Sequence, residues 1–180
     1  RSITRHTGNT DMKNTWLLLL AALMAVSVTA QNKVVNDPNA QRRSVPSFHA
    51  INVSDGVDLF LTQSGTEEVA VSASKDEYRD KIKTEVVNGV LKIYYNSPHG
   101  VSFSWGNRRL KAYVSVKNID ELQASGGSDV DISGTLTASK LKLGLSGGSD
   151  FKGNVNINDL DIDQSGGSDV DISGKAINLS

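Results

Sequence analysis

The chain has 180 residues, 38% of them hydrophobic, with 19 basic and 20 acidic side chains, 16 glycines, 3 prolines and no cysteine. That describes an ordered, turn-rich chain with material for one core, and it excludes disulfides, thiolate metal sites and a cysteine nucleophile. Residues 31–118 hold twelve Lys and Arg against nine Asp and Glu, whereas residues 119–180 hold four against ten; this acidic end disfavours nucleic acid and anionic lipid as partners and leaves cations or neutral, hydroxyl-rich ligands.

Residues 1–11 read as an upstream extension outside the protein proper, with Met12 as the initiator. Residues 12–30, MKNTWLLLLAALMAVSVTA, follow the secretory-signal pattern: Lys13 as the charged flank, an apolar run over residues 16–26, and small or modest side chains at Val28, Thr29 and Ala30. The run is shorter than the roughly 20 residues that span a bilayer. The expectation is cleavage after Ala30 and an exported chain (periplasmic, outer-membrane surface or secreted) with no integral membrane segment after cleavage. No cysteine follows the run, so a lipoprotein-type anchor is excluded.

Residues 31–44 are polar, contain Pro38 and lack periodicity, and read as a linker; residues 45–180 read as a single domain. Strand-like alternation runs through FHAINVS (48–54), VDLFLTQ (57–63, after the turn residues Asp55 and Gly56) and EEVAVSA (67–73). KDEYRDKI (75–82) is the one helical turn expected, capped by Asp76 or Ser74. IKTEVV (82–87) and VLKIYY (90–95) flank Asn88-Gly89, whose tolerance of positive backbone angles suits a type I′ hairpin. The loop NSPHGVSFSWGNRR (96–109) leads to a strand at LKAYVSV (110–116).

The last third repeats one phrase. SGGSDVDISG at residues 125–134 returns unchanged at 165–174, with a worn copy, SGGSDFKGNV, at 146–155. The spacings of 21 and 19 residues lie in the range of stacked repeats. Aligned on the serines, Leu122, Leu143 and Ile162 share one apolar column and Val130, Phe151 and Val170 another, each alternating with polar columns as in a strand with one buried face. Two outward columns alternate in sign, Glu121–Lys142–Asp161 and Asp131–Lys152–Asp171, which favours this register if the copies stack. Gly153 stands where the other copies have Ile132 and Ile172, which predicts a bulge or shift in the middle copy.

Together, FHAINVSDGVDLFLTQSG, VAVSASKDEYRDKIKTEVVNGVLKIYY and the SGGSD corners resemble the head GIN domain family of auto-transporter adhesins, over residues 45–180. The resemblance implies an all-β fold: a short right-handed β-helix, or β-solenoid, of stacked two-strand rungs with SGG corners, preceded by an antiparallel, hairpin-containing N-terminal part. It also implies export from bacteria related to Bacteroides and adhesion as the function. It supplies no catalytic residues. Because KAINLS stops in mid-unit, the expectation is that further rungs follow and that the domain is truncated at its C-terminus.

Three readings compete for the repeated phrase. As a metal loop, it departs from the calcium-binding G-G-x-G-x-D nonapeptide, having Asp129 where the fourth-position glycine belongs and a period near 20. Asp129, Asp150 and Asp169 are the metal candidates, calcium first, as the one charged column of constant sign. The preferred reading is that each accepts hydrogen bonds from its own corner's backbone, so no metal or other cofactor is expected. As an active site, it lacks a positioned base, nucleophile or cofactor motif, and the candidate mature histidines, His49 and His99, sit in no recognisable pattern. As architecture, it explains two glycine columns, Gly126, Gly147 and Gly166, then Gly127, Gly148 and Gly167, as corners with positive backbone angles and close chain approach.

The functional expectation is an exported, non-enzymatic adhesin or surface-binding module for an unidentified glycan or protein ligand, with no nucleic acid and no specified oligomeric state. The alternatives are a polysaccharide-active β-helix enzyme and a purely structural envelope protein. Ligand contacts are expected at Phe103, Trp105, Arg108 and Arg109, because rings and guanidinium groups stack on sugars and anchor interfaces. The preferred reading of Phe103 and Trp105 is nevertheless a cap over one side of the core, since apolar rings in a loop fold down onto a sheet.

Overall fold

The computed structural model describes residues 36–96 and 107–180. Strands take 59% of these residues and helix 3%, so the fold is all-β. In chain order the elements are β1 (Gln41–Arg43), β2 (Ala50–Val53), β3 (Asp58–Gln63), β4 (Glu68–Ser72), α1 (Asp76–Arg79), β5 (Ile82–Val87), β6 (Val90–Tyr95), β7 (Lys111–Val116), β8 (Glu121–Ala124), β9 (Val130–Leu145), β10 (Phe151–Gln164) and β11 (Val170–Leu179). All eleven strands belong to one sheet, curled until nearly closed like a barrel. The signal-like segment and the 97–106 part of the loop lie outside the described residues.

Local chemistry accounts for the antiparallel part. Asn88 and Gly89 take φ of 53° and 79°, the left-handed pair that a type I′ turn requires, and β5 and β6 zip from Val87↔Val90 to Ile82↔Tyr95. Helix α1 is a single turn whose N-cap is Lys75, without a side-chain cap bond, rather than Asp76 or Ser74. Arg79 closes the turn through Asp76 at 2.9 Å. β4 pairs antiparallel with β7, and β1 with β4.

Residues 41–43, read as linker from composition, thus form an edge strand. A half-buried anchor explains it. The Tyr113 hydroxyl donates to Asp37 at 2.9 Å, and the Asn39 N–H donates to the same carboxylate. Burial alone would raise the Asp37 pKa; hydrogen bonds from Ser72, Asn39 and Tyr113, with the charge of Lys111, overcome it and hold the carboxyl below its ordinary value. Burial, aided by the same partnership with Asp37, pushes the Tyr113 phenol up to about 12.

The remaining pairings are parallel. β8 lies between β2 and the second half of β9, in register Ile51↔Leu122↔Leu143. The first half of β9 lies between β3 and β10, in register Leu59↔Val130↔Phe151. β10 lies between β9 and β11. The apolar columns read from sequence are therefore real: Ile51, Leu59, Leu122, Val130, Leu143 and Phe151 are all buried. Each such side chain contributes about 1.5–3 kcal/mol through burial. The sign-alternating columns are also in register, Glu121↔Lys142↔Asp161 and Asp131↔Lys152↔Asp171.

Two features correct the expectation. First, β2 and β3 are not a preface to the repeats. They form a strand–turn–strand unit inside the parallel set, with residues 54–57 as its turn. Second, the irregularity at Gly153 has a definite form: Asp131 pairs with Lys152 and Thr135 with Asn154, so Ile132, Ser133 and Gly134 stand against Gly153 alone. Those two extra residues are the difference between the 21- and 19-residue spacings. A β-carbon on Gly153 would lie 2.8 Å from the Ile132 β-carbon, so glycine makes room for the bulge.

Candidate functional site

Four turns stack along the sheet: residues 54–57, 125–128, 146–149 and 165–168. Their leading positions are left-handed, with φ of 63° at Asp55, 66° at Gly126 and Gly147, and 72° at Gly166. Gly127 and Gly148 follow at 74° and 78°, whereas Gly167 lies outside the left-handed range. The leading column is also where the chains approach most closely: a β-carbon on Gly126 would lie 3.2 Å from the Asp55 nitrogen, and one on Gly147 3.1 Å from the Gly126 nitrogen. Gly127 meets nothing within 4 Å.

Beneath the glycines runs a column of buried serines, Ser128, Ser149 and Ser168. The Val57 N–H donates to Ser128 Oγ and the Ser128 N–H to Ser149 Oγ, each at 3.1 Å. Ser168 Oγ donates within its own turn, to the Ser165 carbonyl at 3.0 Å. The aspartates behave in the same way, one turn over. The Asp150 N–H donates to Asp129 Oδ1 at 3.1 Å, the Asp169 N–H to Asp150 Oδ1 at 3.2 Å, and the Asp129 N–H to the carboxylate of Asp58.

The carboxylates of Asp58, Asp129 and Asp150 therefore serve the next turn rather than their own, which overturns the expectation of a purely local bond. The column has a fourth member, Asp58, that the repeat pattern did not flag. Burial pushes its carboxyl above the ordinary range; the Asp129 charge adds to this, and the Asp129 N–H and Lys111 oppose it. Among the described residues, no three His, Cys, Asp or Glu side chains converge as a metal centre.

On the outward face beside the turns, Lys92, Asn52, Gln123, Gly144 and Asp163 stand in register on successive parallel strands. Gly144 interrupts this row of polar side chains and leaves a furrow of about 190 Å³. Gln123 borders it, its amide carbon 3.3 Å from where a Gly144 β-carbon would stand and its Nε2 donating to Glu121 Oε1 at 2.7 Å. Lys142, Asp163 and the turn serines Ser125, Ser146 and Ser165 complete the rim. The furrow thus offers hydroxyls, amides, an ammonium and a carboxylate on a rigid sheet, a set suited to hydrogen-bonding a polyol.

Of the loop residues expected to bind ligand, Phe103 and Trp105 lie outside the described residues. The Arg108 guanidinium lies over the Tyr95 ring, 5.1 Å from its centroid. Arg109 is exposed, with φ of 45° and its Nε donating to Asn107. They are not brought to the furrow, whose lining contains neither.

The histidine signal resolves into an exposed pair, His49 Nδ1 to Asp120 Oδ1 at 2.9 Å, beside a hollow of about 330 Å³ that Ser139 also lines. The hydrogen bond His49 donates to Asp120, with the charge of that carboxylate, raises the His49 pKa. A catalytic triad would need a hydroxyl on Nε2; here a β-carbon on Gly89 would lie 2.7 Å from that atom.

The turn at Asp55 and Gly56 was read from sequence, but its place in the stack was not, although a signal for it was present: Ser54-Asp55-Gly56-Val57-Asp58 matches Ser125-Gly126-Gly127-Ser128-Asp129 at three of five positions. The furrow had none, since an isolated glycine in a strand announces only a missing side chain.

A family model described as "Putative auto-transporter adhesin, head GIN domain" matches residues 47–180. No curated protein matches the chain. Among solved structures it is similar to an adhesin, so titled as putative, from Bacteroides fragilis, with TM-score 0.66, 20% identity, and coverage of 76% of this chain and 62% of that one. A second, from Parabacteroides merdae, has TM-score 0.63, 16% identity and coverage of 78% and 58%. A third, titled a putative lipid binding protein, from Parabacteroides distasonis, has TM-score 0.56, 18% identity and coverage of 78% and 68%. The chain spans about three-fifths of the length of the first two. At these identities the likeness is one of fold.

Proposed function

Since the chain belongs to the head GIN domain family of auto-transporter adhesins, we propose that it is an exported, non-enzymatic binding module that presents its outward parallel face to a neutral, hydroxyl-rich glycan. The scaffold is read as a short right-handed β-helix whose SGG corners are its turns; parallel pairing of β8, β9, β10 and β11 with a recurring turn supports this. Export rests on the secretory pattern of residues 12–30 and on the family. Among the described residues no helix is long and apolar enough to cross a membrane.

The observation that carries the ligand reading is the furrow over Gly144. Side chains there converge on a space the protein itself leaves open, and the sheet holds them without further ordering, which lowers the cost of binding. Calcium is not part of the proposal, because Asp58, Asp129 and Asp150 already accept backbone N–H groups.

The test is a panel of neutral polysaccharides and amino-sugar polymers immobilised for binding by this chain and by Gly144→Leu. The larger side chain occupies the furrow, and the first atoms its β-carbon meets are those of the Gln123 side-chain amide. The expected result is binding by the unaltered chain, weakened at least tenfold by the substitution, with the melting temperature little changed. Binding that survives Gly144→Leu, or no binding across the panel, overturns the furrow as the contact. Turnover of any polymer that Asp120→Asn abolishes would return the enzyme reading.

A further inference from the structure

The path of strands through the sheet ends at β1 on one side and β5 on the other, and no pairing joins the two. β1 is a blunted edge. It is three residues long, flanked by Pro38 and Pro46, and the Arg43 guanidinium ties it to the Arg79 carbonyl. β5 has none of the devices that guard an edge. It runs for six residues, pairs with β6 without a register shift, and contains no proline. Its inward side chains, Ile82, Thr84 and Val86, carry no charge. Among the described residues nothing pairs with its outer side.

The hairpin turn decides which backbone groups that side presents. In a two-residue hairpin the flanking residues, here Val87 and Val90, exchange hydrogen bonds, and bonded pairs alternate with unbonded ones from there. The Ile93 carbonyl accordingly turns away from β5, to the Ser54 N–H at 2.9 Å. Ile82, Thr84 and Val86 therefore direct their N–H and C=O groups off the edge of the sheet. On the outward face Lys83 and Glu85 stand exposed on either side of Thr84. Val87, further along that face, is 39% exposed, and the other large apolar side chains so exposed, Ile177 and Leu179, belong to β11.

We propose that β5 is a dimerisation edge, on which a second copy of this chain lays its own β5 antiparallel, about a two-fold axis through Thr84. The charges select both the occupant and the register. This axis sets Lys83 of each copy against Glu85 of the other, in the closer, non-hydrogen-bonded pairs, and lays Val87 on the stem of Lys81. Lys92 stands opposite Glu85 within each copy, so the row alternates in sign from one hairpin into the next. Sliding the pairing by two residues either way would set Lys83 against Lys83 or Glu85 against Glu85, with like charges directly opposed. The contact is the same patch on both copies, as a two-fold interface requires. Such an axis, perpendicular to the sheet, keeps both outward faces on one side, but the dimer rests on β5 alone and is independent of the glycan reading.

The test is sedimentation of the whole chain across a range of concentrations, beside the charge reversals Lys83→Glu and Glu85→Lys. The unaltered chain should associate reversibly to a dimer. Each reversal alone opposes like charges at both contacts and should weaken the dimer by about tenfold or more. An equimolar mixture of the two variants restores opposite charges at both contacts and should recover the dimer, which a variant that merely misfolds could not do. A chain that stays monomeric at every concentration, a dimer that neither reversal weakens, or a mixture no stronger than its components overturns the proposal. So does slow hydrogen exchange at the Thr84 and Val86 amides of the dilute, monomeric chain, since another segment of the same chain would then cover the edge.

Discussion

At the scale of single residues, the turns divide labour between backbone and side chain. Gly126 and Gly127 are both left-handed, but only a β-carbon on Gly126 would press on the next turn's backbone. Gly126→Ala should therefore cost more than Gly127→Ala, by about 1 kcal/mol or more, since strain at positive φ is common to both and the clash is not. Ser128 is fully buried and accepts the Val57 N–H. Ser128→Ala leaves that donor unpaired and should cost about 1–3 kcal/mol, whereas Asp129→Asn keeps an acceptor oxygen and should cost about 1 kcal/mol or less. Urea titrations that rank the two the other way would mean water replaces the serine hydroxyl. Asp58 behaves differently. With its folded-state pKa raised, the folded form favours the protonated carboxyl, so the group contributes stability below its unfolded value that is lost as pH rises through the folded one. Asp58→Asn should thus raise the melting temperature at neutral pH, with the gain vanishing in acid.

Elements show where residue chemistry is redirected by context. The decapeptide at 125–134 and 165–174 is the same in both places, yet Gly174 pairs with Val155 while Gly134 sits in the bulge of β9. Gly153→Ala should destabilise by about 1–3 kcal/mol, because overpacking against Ile132 has no flexible end to yield. The β1 strand depends on Asp37, whose depressed pKa means stability present above the unfolded value and lost as pH falls through the folded one. Asp37→Asn should therefore speed proteolysis near residues 40–43 at neutral pH while the core transition stays cooperative, and the two chains should converge in acid. The Tyr113 phenol, held by the same carboxylate, should be the last tyrosine to ionise in a spectrophotometric titration, near its value of about 12.

Across the whole molecule, what could be read in advance follows the strength of the repeat. Leu122–Leu143–Ile162, Val130–Phe151–Val170 and both charge columns were legible because alternation and near-identical copies reinforce each other. The unit formed by β2 and β3 was not, because Asp55 takes the left-handed position that glycine marks elsewhere and Val57 replaces the buried serine. Nor were the furrow and the carboxylate ladder, which depend on contacts between residues 19 to 71 positions apart. A consequence for ions follows: millimolar calcium should leave the melting temperature unchanged. A site held at 100 times its dissociation constant would add about 2.7 kcal/mol and a rise of several degrees, which would sink that expectation.

The placing of β2 between β6 and β8, and of β3 between β7 and β9, bears on when the chain can fold at all. Val57 finds its hydrogen-bond acceptor 71 residues later, on Ser128. β2 lacks a flank until a growing polypeptide has emerged past residue 124, and β3 until it has emerged past residue 133, and closing so long a loop is entropically slow. A nascent chain of this topology therefore cannot complete its parallel sheet before those residues are made, although the local β5–β6 hairpin can form earlier.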